Sequence, residues 1–513
     1  MIMRLIHYSL FTVLFLLLAF LFDYHHTTFY KPQSTHTWRQ ADCASFSMNY
    51  YQYNRSINHP RLHNRLEGDG YMVGEFPGLY YISAQLYKVF GAHEFIPRFL
   101  NLLILFIGLM ALFKMTFQIT NSLFFAYIIP LLLFSAPIIT YYGNNYLTDV
   151  PSFAFILMGW SSFMSYHKHE KLKSLYIAGL FFMIAGLLKI TMLVSVVALG
   201  CVFLLEWFGW ARFKNQEKIF KHTWHTIGVF AVVVGVVAGW YILGALFNES
   251  HHVAYFLSSP KAPWTIDRMD WFTYTIYRVL YFWSGYYFFT LTHYLIIFVA
   301  TVILLGRKKI NSFLYSLVLL TFFGSFMIFQ LFYYQFMDHD YYVIPGYMFV
   351  IFVLIGGIMI LKEHYPHIFS SWILKVATIL FLVINIWHAK SSIHDRYNGK
   401  LSFKPNTHLY ENEFQSYIKG IGIHEHDLVV SVPDISPNST LYLINRPGFT
   451  EWVGISGAPL SESWMREFIK RGAEYLVVHD QNYLNKEAIQ SFKENEIGDY
   501  KGIKIYDLKN LDR

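Results

Sequence analysis

Several short clusters of acids, cations and aromatic residues interrupt this apolar chain, and each falls at the edge of a hydrophobic segment. The first is Trp38-Arg39-Gln40-Ala41-Asp42. The second is Glu75-Phe76-Pro77, with Arg98 soon after it. Asp149 stands in Tyr146-Leu147-Thr148-Asp149-Val150-Pro151. Lys189 breaks a long apolar run, and Asp338-His339-Asp340-Tyr341-Tyr342 precedes another. A carboxylate can take a proton from an attacking hydroxyl or amine. Lys and Arg can offset the charge of a phosphate, and His can hydrogen-bond one.

Each of these residues also has an ordinary structural account. Asp42 would stand near the start of a helix, where the macrodipole favours an acid. Asp149, just before Val150-Pro151, reads as a helix-start acid. Arg98 and Lys189 could extend to a membrane surface, and a lone interfacial His is commonly structural. His251-His252 are two adjacent histidines, too few for a metal site. An acid at a membrane edge is nonetheless a functional candidate.

The elements that would position these groups are membrane spans. The 513 residues are 55% hydrophobic and only 14% charged, with 39 Tyr, 49 Phe and 13 Trp. Soluble domains carry about 25% charge. Abundant aromatics suit belts at both membrane interfaces. The net charge of +7 falls in short loops and does not indicate nucleic-acid binding. A span needs about 20 apolar residues. Eleven segments approach this, near 5–22, 97–118, 122–141, 149–166, 174–188, 190–209, 225–246, 287–305, 312–333, 342–361 and 371–388. The fifth and sixth are separated only by Lys189, so 174–209 reads as two spans or one broken helix. The first segment lacks a small-residue cleavage site and is taken as retained. Cys43 and Cys201 are expected to stay unpaired, one outside and one within a span.

Loop charges give the topology. Lys114, the run His167–Lys173, Arg212–Lys221, Arg307-Lys308-Lys309 and Lys362 fall on one side, which the positive-inside rule makes cytoplasmic. The polar loop 23–96, Asp149, Lys189, the loop 248–286 and Asp338-His339-Asp340 fall on the other. Eleven spans with the N-terminus inside fit every loop and leave the C-terminal region outside. That region has a soluble composition. Strands are expected at 427–432, 474–479 and 504–508, with helices at 436–443 and 461–471, as a small α/β domain. The expected division is 1–390 and 391–513. In the 23–96 loop, Phe46, Tyr50 and Tyr53 after Asp42, and Leu79 to Phe90 after Pro77, read as two amphipathic helices lying along the interface.

Taken together, these clusters resemble the GT-C membrane glycosyltransferases, the group that includes protein O-mannosyltransferases and aminoarabinose transferases. The resemblance rests on Asp42 in an early outer loop, on Glu75-Phe76-Pro77 before an aromatic helix, and on Arg98. It extends to Asp149-Val150-Pro151, to His339-Asp340-Tyr341-Tyr342, and to Asp434-Ile435-Ser436-Pro437 and Asn445-Arg446-Pro447-Gly448 in the last region. Phe76 stands where aminoarabinose transferases often have Lys, which shifts weight for phosphate contact to Lys189 and Arg98. The Asp-Glu pair of protein mannosyltransferases is absent, since Cys43 follows Asp42.

The resemblance implies a polytopic α-helical GT-C fold and inverting transfer from a polyprenyl-phosphate sugar to a lipid, glycan or protein acceptor. It implies Asp42 as base and Asp149 as a second acid, the two meeting at one outer cavity. Arg39, Glu75, Arg98, Lys189, His339, Asp340 and Tyr341 would contact substrate or phosphate. A divalent metal is compatible but not demanded. The expected location is a bacterial inner membrane, with the site and C-terminal domain outside the cytoplasm. The rival readings are a polysaccharide polymerase or ligase using a lipid-linked donor, and a transporter of lipid-linked sugars.

Overall fold

The computed structural model describes residues 2–210, 218–257, 260–266, 269–452 and 461–509. Most of the basic loop beginning at Arg212 lies outside the described residues. The chain forms two units. One comprises Met1–Thr28, Arg98–Trp240 and Ser259–Asp395; the other comprises Phe29–Pro97, Tyr241–Ser258 and Arg396–Arg513. The polar loop after the first helix and part of the 248–286 loop thus belong to the same unit as the C-terminal region. Residue 390 itself lies within a helix, Trp372–Asn398.

The first unit is a bundle of apolar helices. Six helices are long and apolar enough to cross a membrane, and up to eight if each bent pair counts as one span. The bent pairs are Leu123–Phe134 with Pro137–Gly143, at 72°, and Met269–Tyr287 with Thr290–Leu305, at 99°. Every segment expected to span contains a helix. Helix Asp149–His169 is the most enclosed, buried along nearly its whole length. Small residues permit this. A Cβ on Gly159 would lie 2.4 Å from the Phe182 ring, and one on Gly108 would lie 2.6 Å from Ala154 Cβ. Close helix contacts of this kind substitute in lipid for the missing hydrophobic drive. Helix Thr223–Ser250 is the opposite case, with Val232, Val234, Ile242 and Leu243 exposed, as a lipid-facing surface requires. Residues 174–209 form two helices, Leu172–Leu188 and Val194–Trp207, with Lys189 extended (φ −160°, ψ 109°) before a short 3₁₀ turn.

The second unit is built on a five-stranded sheet. Its strands are β1 (Val429–Val432), β2 (Gly448–Phe449), β3 (Tyr475–Val478), β4 (Glu496–Tyr500) and β5 (Ile503–Asp507), in the order β2-β1-β3-β5-β4. β2, β1 and β3 are parallel, and β5 and β4 are antiparallel additions. β1 and β3 are buried on both faces, which explains their mainly apolar sequences, Ser431 being the one polar residue. Val430, Val432, Leu476 and Val478 form a core with Phe449 and Phe468. The polar loop joins this sheet. Gly448 N donates to His63 O at 2.9 Å and Arg65 N donates to Gly448 O at 2.7 Å. A Cβ on Gly448 would sit 1.8 Å from Val429 O, so this close approach demands glycine.

Candidate active site

Asp42 lies on helix Thr37–Gln52, in its second turn; the N-cap is His36 and no acid occupies the first turn. This corrects the expected placement at the helix start and removes the macrodipole account. The helix is also not an interfacial one. Residues Gln40 to Ser47 are all buried, because helix Gly78–Phe90 packs on one side and helix Ser439–Ile444 on another. Its polar groups are satisfied internally. Gln40 Nε2 donates to Gln33 O and Thr35 O, both at 2.8 Å, and Ser45 Oγ lies 2.6 Å from His63 Nδ1. Asn438 Nδ2 donates to Ala41 O at 3.2 Å. Helix Gly78–Phe90 keeps the amphipathic character expected, with Ile82, Val89 and Phe90 exposed.

The Asp42 carboxylate is fully buried, at 0% exposure. Tyr255 Oη donates to its Oδ2 at 2.7 Å, and Oδ1 has no hydrogen-bond partner among the described residues. A buried acceptor left open is costly and is the kind of group a substrate completes. Burial pushes the carboxyl up to about 7, against the opposing pull of Arg39 and the Tyr255 hydrogen bond. A base with this affinity is matched to neutral pH. One turn earlier, the Arg39 guanidinium pairs with Glu75 and lies 4.9 Å from the Phe256 ring centroid. Its Nη1 is buried without a partner among the described residues. Tyr80 Oη donates to Glu75 as well.

Tyr255 is a residue the sequence did not reveal. It stands 213 positions from Asp42, in a loop whose flexible look conceals two anchors. Glu67 Oε2 accepts from the backbone of Ala254 at 2.9 Å and of Tyr255 at 3.1 Å. Asn248 bonds both backbone groups of Val73, at 2.8 Å each.

The first unit carries the other acid. Asp149 opens helix Asp149–His169 and is buried. Lys189 Nζ lies 3.2 Å from its Oδ1, and 4.8 Å and 5.2 Å from the ring centroids of Tyr342 and Tyr341. The extended Lys189 backbone at the helix break aims the ammonium here. Tyr142 Oη donates to Asp340 Oδ1 at 2.6 Å and its ring meets Tyr341 at 5.5 Å. His339 contacts the rings of Tyr341 and Tyr342, and its Nδ1 lies 3.1 Å from Gln335 O. The structure therefore gathers Asp149, Lys189, Asp340, Tyr341 and His339 into one cluster. Arg98 is fully buried; its Nη1 donates to Asn144 O at 2.7 Å and its guanidinium lies 4.5 Å from the Tyr146 ring centroid. It thereby braces the turn leading to Asp149.

Both cysteines are free. Among the described residues, one group of three side chains brings metal-ligand atoms within 4.8 Å of one another: Asp23, His25 and His26, all exposed. It contains neither Asp42 nor Asp149. His251 stacks on Phe247 instead of joining a ligand set.

Residues 75–243 match the dolichyl-phosphate-mannose-protein mannosyltransferase family. That segment runs from Glu75 through Arg98, Asp149 and Lys189. The match covers less than half of the 513 residues. No curated protein matches it by sequence. Among solved structures, a similar fold is seen in ArnT from Cupriavidus metallidurans in the apo state. That protein is 12% identical, with 98% of this chain and 99% of that one covered and a TM-score of 0.59. The same ArnT bound to undecaprenyl phosphate gives 11% identity, 97% coverage of each chain and a TM-score of 0.59. The oligosaccharyltransferase AglB from Archaeoglobus fulgidus, in complex with an inhibitory peptide and a dolichol-phosphate, is 12% identical. It covers 92% of this chain and 69% of its own, with a TM-score of 0.55. At these identities the likeness is one of fold.

Proposed function

We propose that this glycosyltransferase moves a sugar from a polyprenyl-phosphate donor to an acceptor on the extracytoplasmic side of the membrane, with Asp42 as general base. The observation that carries the reading is the buried Asp42 oxygen left open beside a Tyr255-held partner. The relatives in fold that bind undecaprenyl phosphate and dolichol-phosphate support the donor class. In the step, the acceptor oxygen bonds to the anomeric carbon and its proton passes to Asp42. The sugar–phosphate C–O bond breaks, and its electron pair leaves on the phosphate oxygen. Attack opposite the leaving group inverts the anomeric centre.

The remaining residues divide by charge. Arg39, held by Glu75, offers its open Nη1 to an anion. In the first unit, Lys189 offers a cation to an anionic group, and Asp149 fixes its direction. Arg98, His339, Asp340 and Tyr341 hold that arrangement. No metal is required by this chemistry. The direct test is the lipid pool: cells lacking the protein accumulate lipid-linked sugar, and an unchanged pool refutes the reading.

Tyr255→Phe provides a pH test. The lost hydrogen bond favours the ionised carboxylate, so its removal raises the carboxyl further. The acidic limb of the rate profile, set by Asp42 near 7, should move upward by about one pH unit, the size of a hydrogen bond to a charged group. An unmoved limb would assign that titration to another group.

The reading includes eleven spans, the N-terminus in the cytoplasm of a bacterial cell and the C-terminal domain outside. Single cysteines at Ser392 and Asn311 report the sides. Impermeant reagent is expected to label position 392 from outside and to miss position 311; the reverse pattern overturns the topology.

A further inference from the structure

A chain of aromatic contacts leads from Asp42 to the surface residue Trp38. Trp38 precedes Asp42 by four residues, so both project from one face of the helix. Its ring meets that of Trp452, from the C-terminal region, with centroids 6.2 Å apart at 78°. Trp452 in turn meets Tyr255 at 5.3 Å and 73°. Tyr255 holds Asp42. Three aromatic side chains from distant parts of the sequence thus converge where the open Asp42 oxygen lies.

They are not core. Trp38 is 37% exposed, and neither Trp belongs to the apolar cluster under the sheet. Trp38 is exposed and Trp452 half-buried, so both keep surface open to a ligand. A pyranose ring has a face of C–H groups that stacks on an indole and a rim of hydroxyls that hydrogen-bond around it. A flexible peptide hydroxyl has no such flat apolar face.

We propose that the acceptor is a carbohydrate, stacked on Trp38 and Trp452 with one hydroxyl directed at Asp42 Oδ1. This rests on the proposed transfer reaction and specifies its acceptor. The transferred proton and broken bond are those already given, the nucleophile being a glycan hydroxyl.

The test uses native membranes whose lipid-linked sugars carry a radiolabel from the growth medium. The methyl glycosides of glucose, galactose and N-acetylglucosamine are added as decoy acceptors. Parent membranes are expected to form labelled methyl disaccharide and protease-resistant labelled glycan. Trp38→Ala and Trp452→Ala should each cut disaccharide formation by about tenfold through a higher KM for the decoy, the scale of one aromatic contact. Trp38→Phe and Trp452→Phe should recover most of it. Melting temperatures of all four variants separate this from misfolding. Label entering protease-sensitive protein, no labelled disaccharide from parent membranes, or Ala variants that fold and transfer at the parental KM would each overturn the acceptor class. If Asp42→Asn leaves turnover of the lipid-linked pool at the parental rate, the transfer reading itself fails instead.

Discussion

Asp42→Asn loses sugar transfer by about 10²–10⁴-fold, the usual contribution of a general base, while its melting temperature holds or rises. The amide keeps the shape of the carboxyl and removes its basicity. The stability half of this expectation follows from burial. In the folded protein the carboxyl titrates near 7, against an ordinary value of 3.8. Between those values the folded state binds the proton and the unfolded chain does not. Stability from this group is therefore full below the lower value and is lost as pH rises through the upper one. Asn removes that loss, so the variant should match or exceed the parent when melted above pH about 7. A helix-start acid would behave oppositely, with about 1 kcal/mol lost on replacement and transfer retained. Single-turnover rates and melting curves on one purified preparation decide between the two. Loss of less than about tenfold would remove Asp42 from the role of base. If Asp149→Asn alone abolishes turnover, the base is Asp149.

The second large effect is expected at Lys189. Its ammonium is the cation beside the buried Asp149 carboxylate. Lys189→Met leaves that charge uncompensated, which in a buried pair costs about 3–5 kcal/mol. Adding Asp149→Asn removes the stranded charge and should recover most of the thermal stability in detergent. On the proposed role of Lys189 it should not recover transfer, because that cation is still missing. Both singles, the double and the parent form a cycle that isolates the pair. A double variant with parental turnover would confine the pair to a structural role. A Lys189→Met protein with parental stability would show the pair to be weak.

The sequence exposed the first-unit cluster more clearly than the second. Asp149, Lys189 and Tyr341 each stand at a break between apolar runs, and a polar residue at a helix end inside a membrane has few reasons to be there. The helix carrying Asp42 misled for a physical reason. Gln40, Ser45, Ser47 and Asn49 suggest a face turned to water, yet they pair with backbone and His63 inside the fold. Spacing records polarity, not the partner that satisfies it. Tyr255 and Trp452 left no signal because their roles come from long-range contacts. In the C-terminal domain, β1 and β3 were legible as mainly apolar runs and β5 as an alternating strand. β2 has two residues, and β4, Glu496-Ile497-Gly498-Asp499-Tyr500, is a largely exposed edge with charged ends. Neither shows the alternation or apolar run by which a strand is recognised.

The seam between residues 63–65 and Gly448 sets the order in which a working enzyme can come into being. The Asp42 helix is made early, but Asn438 and the helix after it, which complete its burial, are made near the end. Until then the carbonyl of Ala41 lacks its side-chain donor and the Asp42 helix lacks one of the helices that cover it. A chain that stopped before them would leave the Asp42 helix open on that face, and access of water there would lower the Asp42 carboxyl toward the ordinary range. With Asp42 as the proposed base, transfer would then require synthesis to have reached the last domain.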